Sequence, residues 1–277
     1  MWSFRAKLKR AMHHNRLPRL ARAILTLLFG LALFAPLPYV VLTPGNAQDV
    51  VDKIITPSKT ADTSLKFYKA DGHIYLLSIL ISSPDAYVTG AELIYSWGRS
   101  DYSVMPRSLF YRDGVSATAE KAIAKTEMVD SQLSAKVAAL NLLQSEYPDL
   151  GTSKIEPSDI AISLAKTGGP SGGLAFALGI VELLTPENIL RGRGVASTGT
   201  IDSKGNVGGI GGVAEKILAA EKAGATLILV PKSNCQDLAP GVATIPKGIK
   251  IAAVGTLKEA LTALNSASPR SCDNLGA

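Results

Sequence analysis

Apolar and polar positions alternate unevenly along the chain, and the unevenness divides it. Ala23 to Leu42 is a run of twenty residues without a charge, long enough to cross a hydrocarbon core of about 30 Å as one transmembrane helix. Tyr39 would stand at the outer interface, and Pro36 and Pro38 would kink or end the helix near its exit. Residues 43–72 are polar and punctuated by Pro44-Gly45 and Pro57-Ser58-Lys59, which reads as a tether with at most one short strand. Gly72 to Ile81 is a short apolar run and predicts a buried strand. Ser82 to Asp85 turns the chain, Tyr87 to Trp97 is a mixed segment, and Asp101 to Gly114 has no period and reads as loop.

Helical periods begin at Ala117. A Ser116 cap starts a helix to about Ala124, and an amphipathic helix runs from Ser131 to Ser145 with Leu133, Val137, Leu140 and Gln144 on one side. Elements then alternate: strand Ile160 to Ala165, helix Ser171 to Leu184, strand Gly194 to Ile201, a turn at Asp202 to Gly205, helix Gly212 to Ala223, strands Thr226 to Val230 and Ile249 to Val254, and helix Leu257 to Leu264. The pattern predicts an α+β body, organised as a basic segment (1–22), the transmembrane helix (23–42), a tether and β-rich part (43–115), a main domain (116–265) and a tail (266–277).

Charge changes the picture once its position is considered. The formal net charge of +6 suggests a nucleic-acid partner, but residues 1–22 hold seven basic side chains and no acid, and the remainder carries 22 Lys+Arg against 23 Asp+Glu. The body is near neutral, so no nucleic-acid partner is expected. A basic flank beside an apolar run places that flank in the cytoplasm and the body outside, in a single-pass membrane protein. The rival is a secretory signal cleaved near Gly45-Asn-Ala47, although its apolar region is usually only about 7 to 15 residues long. Both readings export the body, where Cys235 and Cys272 would meet an oxidising compartment as a disulfide or as two free thiols. No clustered ligand set and no Gly-x-x-x-x-Gly-Lys-(Ser/Thr) occurs in the chain, so neither metal, nucleotide nor other cofactor is expected.

The candidate chemistry lies in Gly168-Gly-Pro-Ser-Gly-Gly173, where Ser171 sits among glycines ahead of an apolar helix. Permissive backbone at Gly169 and Gly172 on either side of the Pro170-Ser171 pair, with the free N–H groups of a first helical turn, can surround a nucleophile and hold an oxyanion. The simpler alternative makes Ser171 an N-cap. A base is hard to find among three histidines, His13, His14 and His73, so a neutral lysine is the better candidate. Lys216 projects from the apolar side of its helix between Ala220 and Ala223, where burial would lower it from its ordinary value of about 10.4. The alternative there is a lysine whose head reaches water.

Three motifs stand in order: Gly168-Gly-Pro-Ser-Gly-Gly173, Gly194-Val-Ala-Ser-Thr-Gly-Thr-Ile201 and Gly205-Asn-Val-Gly-Gly-Ile-Gly-Gly-Val-Ala-Glu-Lys216. Together they resemble the proteolytic domain of the Lon family of Ser/Lys-dyad proteases over roughly residues 125 to 262. The resemblance implies the Lon proteolytic-domain fold, with mixed sheets and packed helices, here behind one transmembrane helix. It also implies that Ser171 is the nucleophile, Lys216 its base, and Thr198 the partner of the amine. Two departures stand out: Gly172 where most members have alanine, and Gly168 where ATP-dependent members have aspartate.

The earlier part of the chain resembles membrane-anchored, ATP-independent Lon-like proteins of Gram-positive bacteria. Those proteins usually carry a PDZ domain before the nucleophile, and Glu146 to Ser158 is far too short for one. The resemblance thus implies a serine endopeptidase acting on unfolded or flexible polypeptide, assembled as a homo-oligomer, which in Lon proteases is usually a ring of six. A catalytically inactive, membrane-anchored interaction protein of the same fold is the alternative. Signal-peptide-processing Ser/Lys enzymes share the dyad but not these glycine motifs.

Overall fold

The computed structural model describes residues 17–59, 61, 66–164, 167–238 and 245–272. Residues 1–16, Ala165, Lys166 and the end of the tail therefore lie outside the described residues. Among the described residues the α-helices are α1 Arg19–Phe34, α2 Gly90–Trp97, α3 Ala117–Glu146, α4 Gly173–Leu184, α5 Val213–Lys222 and α6 Leu257–Asn265. The strands are β1 Pro36–Leu37, β2 Tyr39–Asp49, β3 Ile55–Pro57, β4 His73–Ile81, β5 Val88–Thr89, β6 Ser103–Pro106, β7 Ile160–Ile162, β8 Gly194–Ser197, β9 Thr200–Ile201, β10 Val207–Gly208, β11 Leu227–Pro231 and β12 Lys250–Val254.

Six strands form one mixed sheet in the order β12-β11-β8-β4-β2-β6. The pairs from β12 to β4 are parallel, whereas β2 runs antiparallel to both β4 and β6. Alternation along the central strands separates two cores, because successive side chains point to opposite faces. Ile74, Leu76, Val195, Leu227 and Leu229 join the core that holds α3, α4 and α6. Leu77, Ala196, Ile228 and Val230 join Val213, Ile217, Ala219 and Ala220 of α5 on the other face. All twelve residues of α4 are buried, as befits a helix that is apolar all round but for Glu182, whose carboxylate accepts the Ile189 N–H.

The expected transmembrane helix over 23–42 is corrected. Helix α1 spans 16 residues and stops at Phe34, because Pro36 forces the preceding Ala35 into an extended conformation, with ψ 140°. The rest of the apolar run is strand: Val40 and Leu42 are fully buried in β2, between β4 and β6. Residues 39–42 are buried on one face of β2 and half-buried on the other, so they read as a continuous apolar run that merges with the helix in the sequence. No described helix is long and apolar enough to cross a membrane.

The tether expected over 43–72 is also corrected, since residues 43–49 are the second half of β2, paired with β4 around a bulge between Pro44 and Ala47. The loop expected at 101–114 contains β6. The two helices expected at 117–124 and 131–145 are one 30-residue helix, α3. Its polar middle is carried through by packing of Met128, Ala135, Ala138 and Ala139 in the core shared with α4.

Candidate active site

Ser171 is half-buried in a turn that precedes α4. The helix begins at Gly173, its N-cap is Gly172, and no side chain caps it, so the N-cap reading of Ser171 falls. The turn is held from two sides. From α3, the Ala124 carbonyl accepts the Gly169 N–H at 2.8 Å, and Ser131 Oγ donates to the Pro170 carbonyl at 2.9 Å. From beyond β8, the Gly199 N–H donates to the Ser171 carbonyl at 2.9 Å and Thr198 Oγ1 donates to it at 3.2 Å. The N–H groups of Ser171 and Gly172 find no acceptor among the described residues.

Gly199 explains why the expected strand 194–201 is broken into β8 and β9. Its φ of 151° is open to glycine and rarely to other residues. A Cβ there would stand 2.8 Å from Val207 Cγ1. The break turns the Thr198-Gly199 backbone toward Ser171. Thr198 is fully buried at the carboxyl end of β8, the edge of a parallel sheet at which ligand sites gather in open α/β folds.

Lys216 arrives from the opposite face. On α5 it is only 2 % exposed, so the reading of a lysine that reaches water also falls. Its Nζ donates to Thr198 Oγ1 at 3.1 Å, and that same hydroxyl carries the contact to the Ser171 carbonyl. Two hydrogen bonds in series thus link a residue anchored above the sheet with one anchored below it. Burial lowers the amine from 10.5 to about 7, and the nearby Glu215 carboxylate opposes this with a smaller upward pull. Desolvation outweighs the neighbouring charge because a buried ammonium is stripped of nearly all its water and the protein supplies one hydroxyl in its place.

Both departures at the glycine turn have a local cause. A Cβ at Gly172 would run into Leu76 Cδ1 and stand 3.2 Å from the Phe176 ring, so the Leu76 methyl occupies the space an alanine methyl would need. A Cβ at Gly168 would lie 3.1 Å from Ala124 Cβ, which crowds any side chain against α3. The described histidine, His73, is exposed on β4 with Nδ1 2.7 Å from Asp49 and bonds neither Ser171 nor Lys216. Cys235 and Cys272 are joined as a disulfide with Cα atoms 5.2 Å apart, and Cys272 packs half-buried against the core beside α5. No group of three or more potential metal ligands occurs among the described residues. The sequence reading did not single out Ser131, Ala124 or Gly199. A serine inside a helical period and a main-chain carbonyl leave no mark in a pattern, though Gly199 lay within a quoted motif.

The segment that holds these residues is similar to parts of known proteins. A segment of 130 residues is 35 % identical to Lon protease 2 of Herpetosiphon aurantiacus, covering 45 % of this chain and 16 % of that protein. A segment of the same length is 36 % identical to the Lon protease of Buchnera aphidicola, with the same coverage. Over 93 residues the chain is 41 % identical to the Lon protease of Azospirillum brasilense, covering 34 % of this chain and 11 % of that protein. The chain spans about a sixth or less of the length of these relatives. Residues 119–266 match the model of the Lon protease (S16) C-terminal proteolytic domain, a range that runs from the first turn of α3 through α6 and includes every hydrogen bond of the Ser171 turn, and the chain belongs to that family.

Proposed function

We propose that the chain is a serine endopeptidase in which Ser171 is the nucleophile and Lys216 the general base. The observation that carries this reading is the buried Lys216 amine, about 7 in pKa and bonded to Thr198 Oγ1 at 3.1 Å. The Thr198 proton goes to the Ser171 carbonyl, so toward the amine the hydroxyl acts as acceptor. A neutral amine has two N–H groups and one lone pair. Thr198 engages one N–H and leaves the lone pair for the Ser171 hydroxyl.

As Ser171 Oγ attacks a peptide carbonyl, its proton passes to Lys216, and the new C–O bond turns the carbonyl oxygen into an oxyanion. The free N–H groups of Ser171 and Gly172 are suited to receive it. Lys216 then returns the proton to the leaving amine as the C–N bond breaks, which leaves an acyl-enzyme on Ser171. Water, deprotonated by Lys216, hydrolyses that ester and restores both residues.

The substrate in this reading is unfolded or flexible polypeptide, and the action is ATP-independent, by resemblance to the ATP-independent Lon-like proteins. Membrane attachment through the N-terminal segment is part of the same proposal. Its support is that no residue of α1 is buried and that Leu20, Leu27, Phe29 and Phe34 are exposed beside a basic segment. Assembly as a homo-oligomer rests on resemblance. Mass spectrometry of an unstructured substrate tests the chemistry: Ser171→Ala and Lys216→Ala should each abolish cleavage, and a serine-directed fluorophosphonate should label Ser171 in the native enzyme. Cleavage that survives in Ser171→Ala, or a native Ser171 that stays unlabelled, would refute the reading and favour an inert scaffold.

A further inference from the structure

Ser131 has a relation to the reacting centre that its place in the middle of α3 conceals. It is 5 % exposed and 40 residues before Ser171, yet its hydroxyl reaches across to the Pro170 carbonyl at 2.9 Å. A serine inside a helix ordinarily turns its hydroxyl back to its own helix or out to water. Here it leaves the helix, and the space it needs comes from Gly173, where a Cβ would stand 2.9 Å from Ser131 Oγ.

The Pro170 carbonyl and the Ser171 N–H belong to one peptide unit. That unit is planar and its trans form sets C=O and N–H in opposite directions, and no cis bond occurs among the described residues. Whatever fixes the carbonyl therefore aims the N–H. The carbonyl's other contact is the Gly173 N–H at 3.3 Å, longer than the bond from Ser131 and made by a residue of the same turn. Rotation of this peptide is thus restrained from outside the turn by one hydroxyl, while the next peptide is restrained separately through the Ser171 carbonyl by Gly199 and Thr198.

We infer that Ser131 is a positioning residue: by holding the Pro170 carbonyl it aims the Ser171 N–H at the oxyanion of the transition state. The inference rests on the proposed protease reading and extends it to a residue on a different helix. Ser131 touches no substrate and exchanges no proton with it. Its contribution is made only when negative charge develops on the carbonyl oxygen, so it raises turnover without tightening the binding of intact substrate.

The test uses the full-length enzyme with an unstructured fluorogenic peptide. Removal of a whole oxyanion donor costs about 100- to 1000-fold in turnover, and a donor that remains but is misaimed should lose a part of this. Ser131→Ala should therefore lower kcat roughly 10- to 100-fold, with KM within about twofold of the native value. A peptidyl boronate, whose tetrahedral adduct places an oxygen at the oxyanion position, should lose affinity by a similar factor, whereas a non-cleavable ground-state peptide should not. The pH at half-maximal kcat/KM should stay in place, since the base is elsewhere.

The isosteric pair Ser131→Thr and Ser131→Val separates hydroxyl from shape: the threonine enzyme should turn over at least several-fold faster than the valine enzyme. Turnover of Ser131→Ala within twofold of native would overturn the inference, as would equal rates for the threonine and valine enzymes together with a loss of ground-state peptide binding. Failure of the native enzyme to form a Ser171 adduct would instead defeat the protease reading itself, a result that the unmodified protein gives before any variant is made.

Discussion

Replacing Lys216 with methionine should destroy the activity and stabilise the protein. The folded amine is held at about 7 against 10.5 for the free side chain. At about 1.36 kcal/mol for each tenfold change in proton affinity, this amounts to roughly 5 kcal/mol of unfavourable environment when both states would otherwise be charged. At pH 7 the cost is about 4 kcal/mol, because half of the folded molecules already carry the proton. Methionine fills a similar volume without a charge and forfeits one hydrogen bond to Thr198, worth about 1 kcal/mol. The expected net gain is about 3 kcal/mol, on the order of 6 to 12 °C in Tm for a chain of this size.

The sign of the pH dependence follows from proton counting. Between about 7 and the free value the unfolded chain binds a proton that the folded chain has released, so the native protein gains stability as pH rises through that window. The variant lacks this dependence, and its advantage should shrink from about 3 kcal/mol at pH 7 to about 1 kcal/mol at pH 9. Urea unfolding at pH 6, 7, 8 and 9 measures it, with Ser171→Ala in both proteins to prevent self-cleavage. A Lys216→Met protein that is less stable at pH 7, or whose advantage does not change with pH, would refute a buried neutral amine.

Four other outcomes follow from the same geometry. The native kcat/KM should rise with pH through about 7, the value at which Lys216 loses its proton, and a pH–rate profile flat from 6 to 8 would contradict this. Thr198→Val removes the acceptor of the amine and one donor to the Ser171 carbonyl, so kcat should fall about 10- to 100-fold in steady-state assays and stability by about 1 to 3 kcal/mol in urea. Gly172→Ala should lower stability, because its methyl meets Leu76 Cδ1; Leu76→Val should recover part of the loss, and a double-mutant cycle that shows no coupling would exclude this contact as the cause. Opening the Cys235–Cys272 bridge, which closes a sequence separation of 37, by a Cys235→Ala/Cys272→Ala variant should cost about 3 to 4 kcal/mol by loop entropy, measured as a lower urea midpoint.

The residues that the candidate site brings together stand out in the sequence as motifs, whereas contacts that depend on long-range packing leave no mark there. Ser171, Thr198 and Lys216 stand in motifs with distinctive glycines, and the apolar period of α5 pointed Lys216 inward. The position of Thr198 between the two could not be read from periodicity, since it requires a strand to end at Ser197 and α4 and α5 to pack on opposite faces of the sheet. The apolar run from Ala23 to Leu42 hid a change from helix to strand because hydropathy does not distinguish a lipid environment from the middle of a sheet. Pro36 and Pro38 were the physical sign of the break. Helix α3 was read as two helices because Lys125 to Asp130 interrupts its apolar stripe, while the structure supports that stretch through its neighbours in the core. Ser131 was silent for the same reason: only the fold decides which way a helical hydroxyl points.

The central claim is that Lys216 rests as an uncharged amine in the folded protein. Titration of that amine by NMR tests it most directly, with lysines labelled at ¹³Cε in the full-length chain and the Lys216→Met spectrum used to identify its resonance. The account predicts a midpoint near 7, well apart from the other lysines. A Lys216 resonance that titrates near 10 with the rest would contradict it.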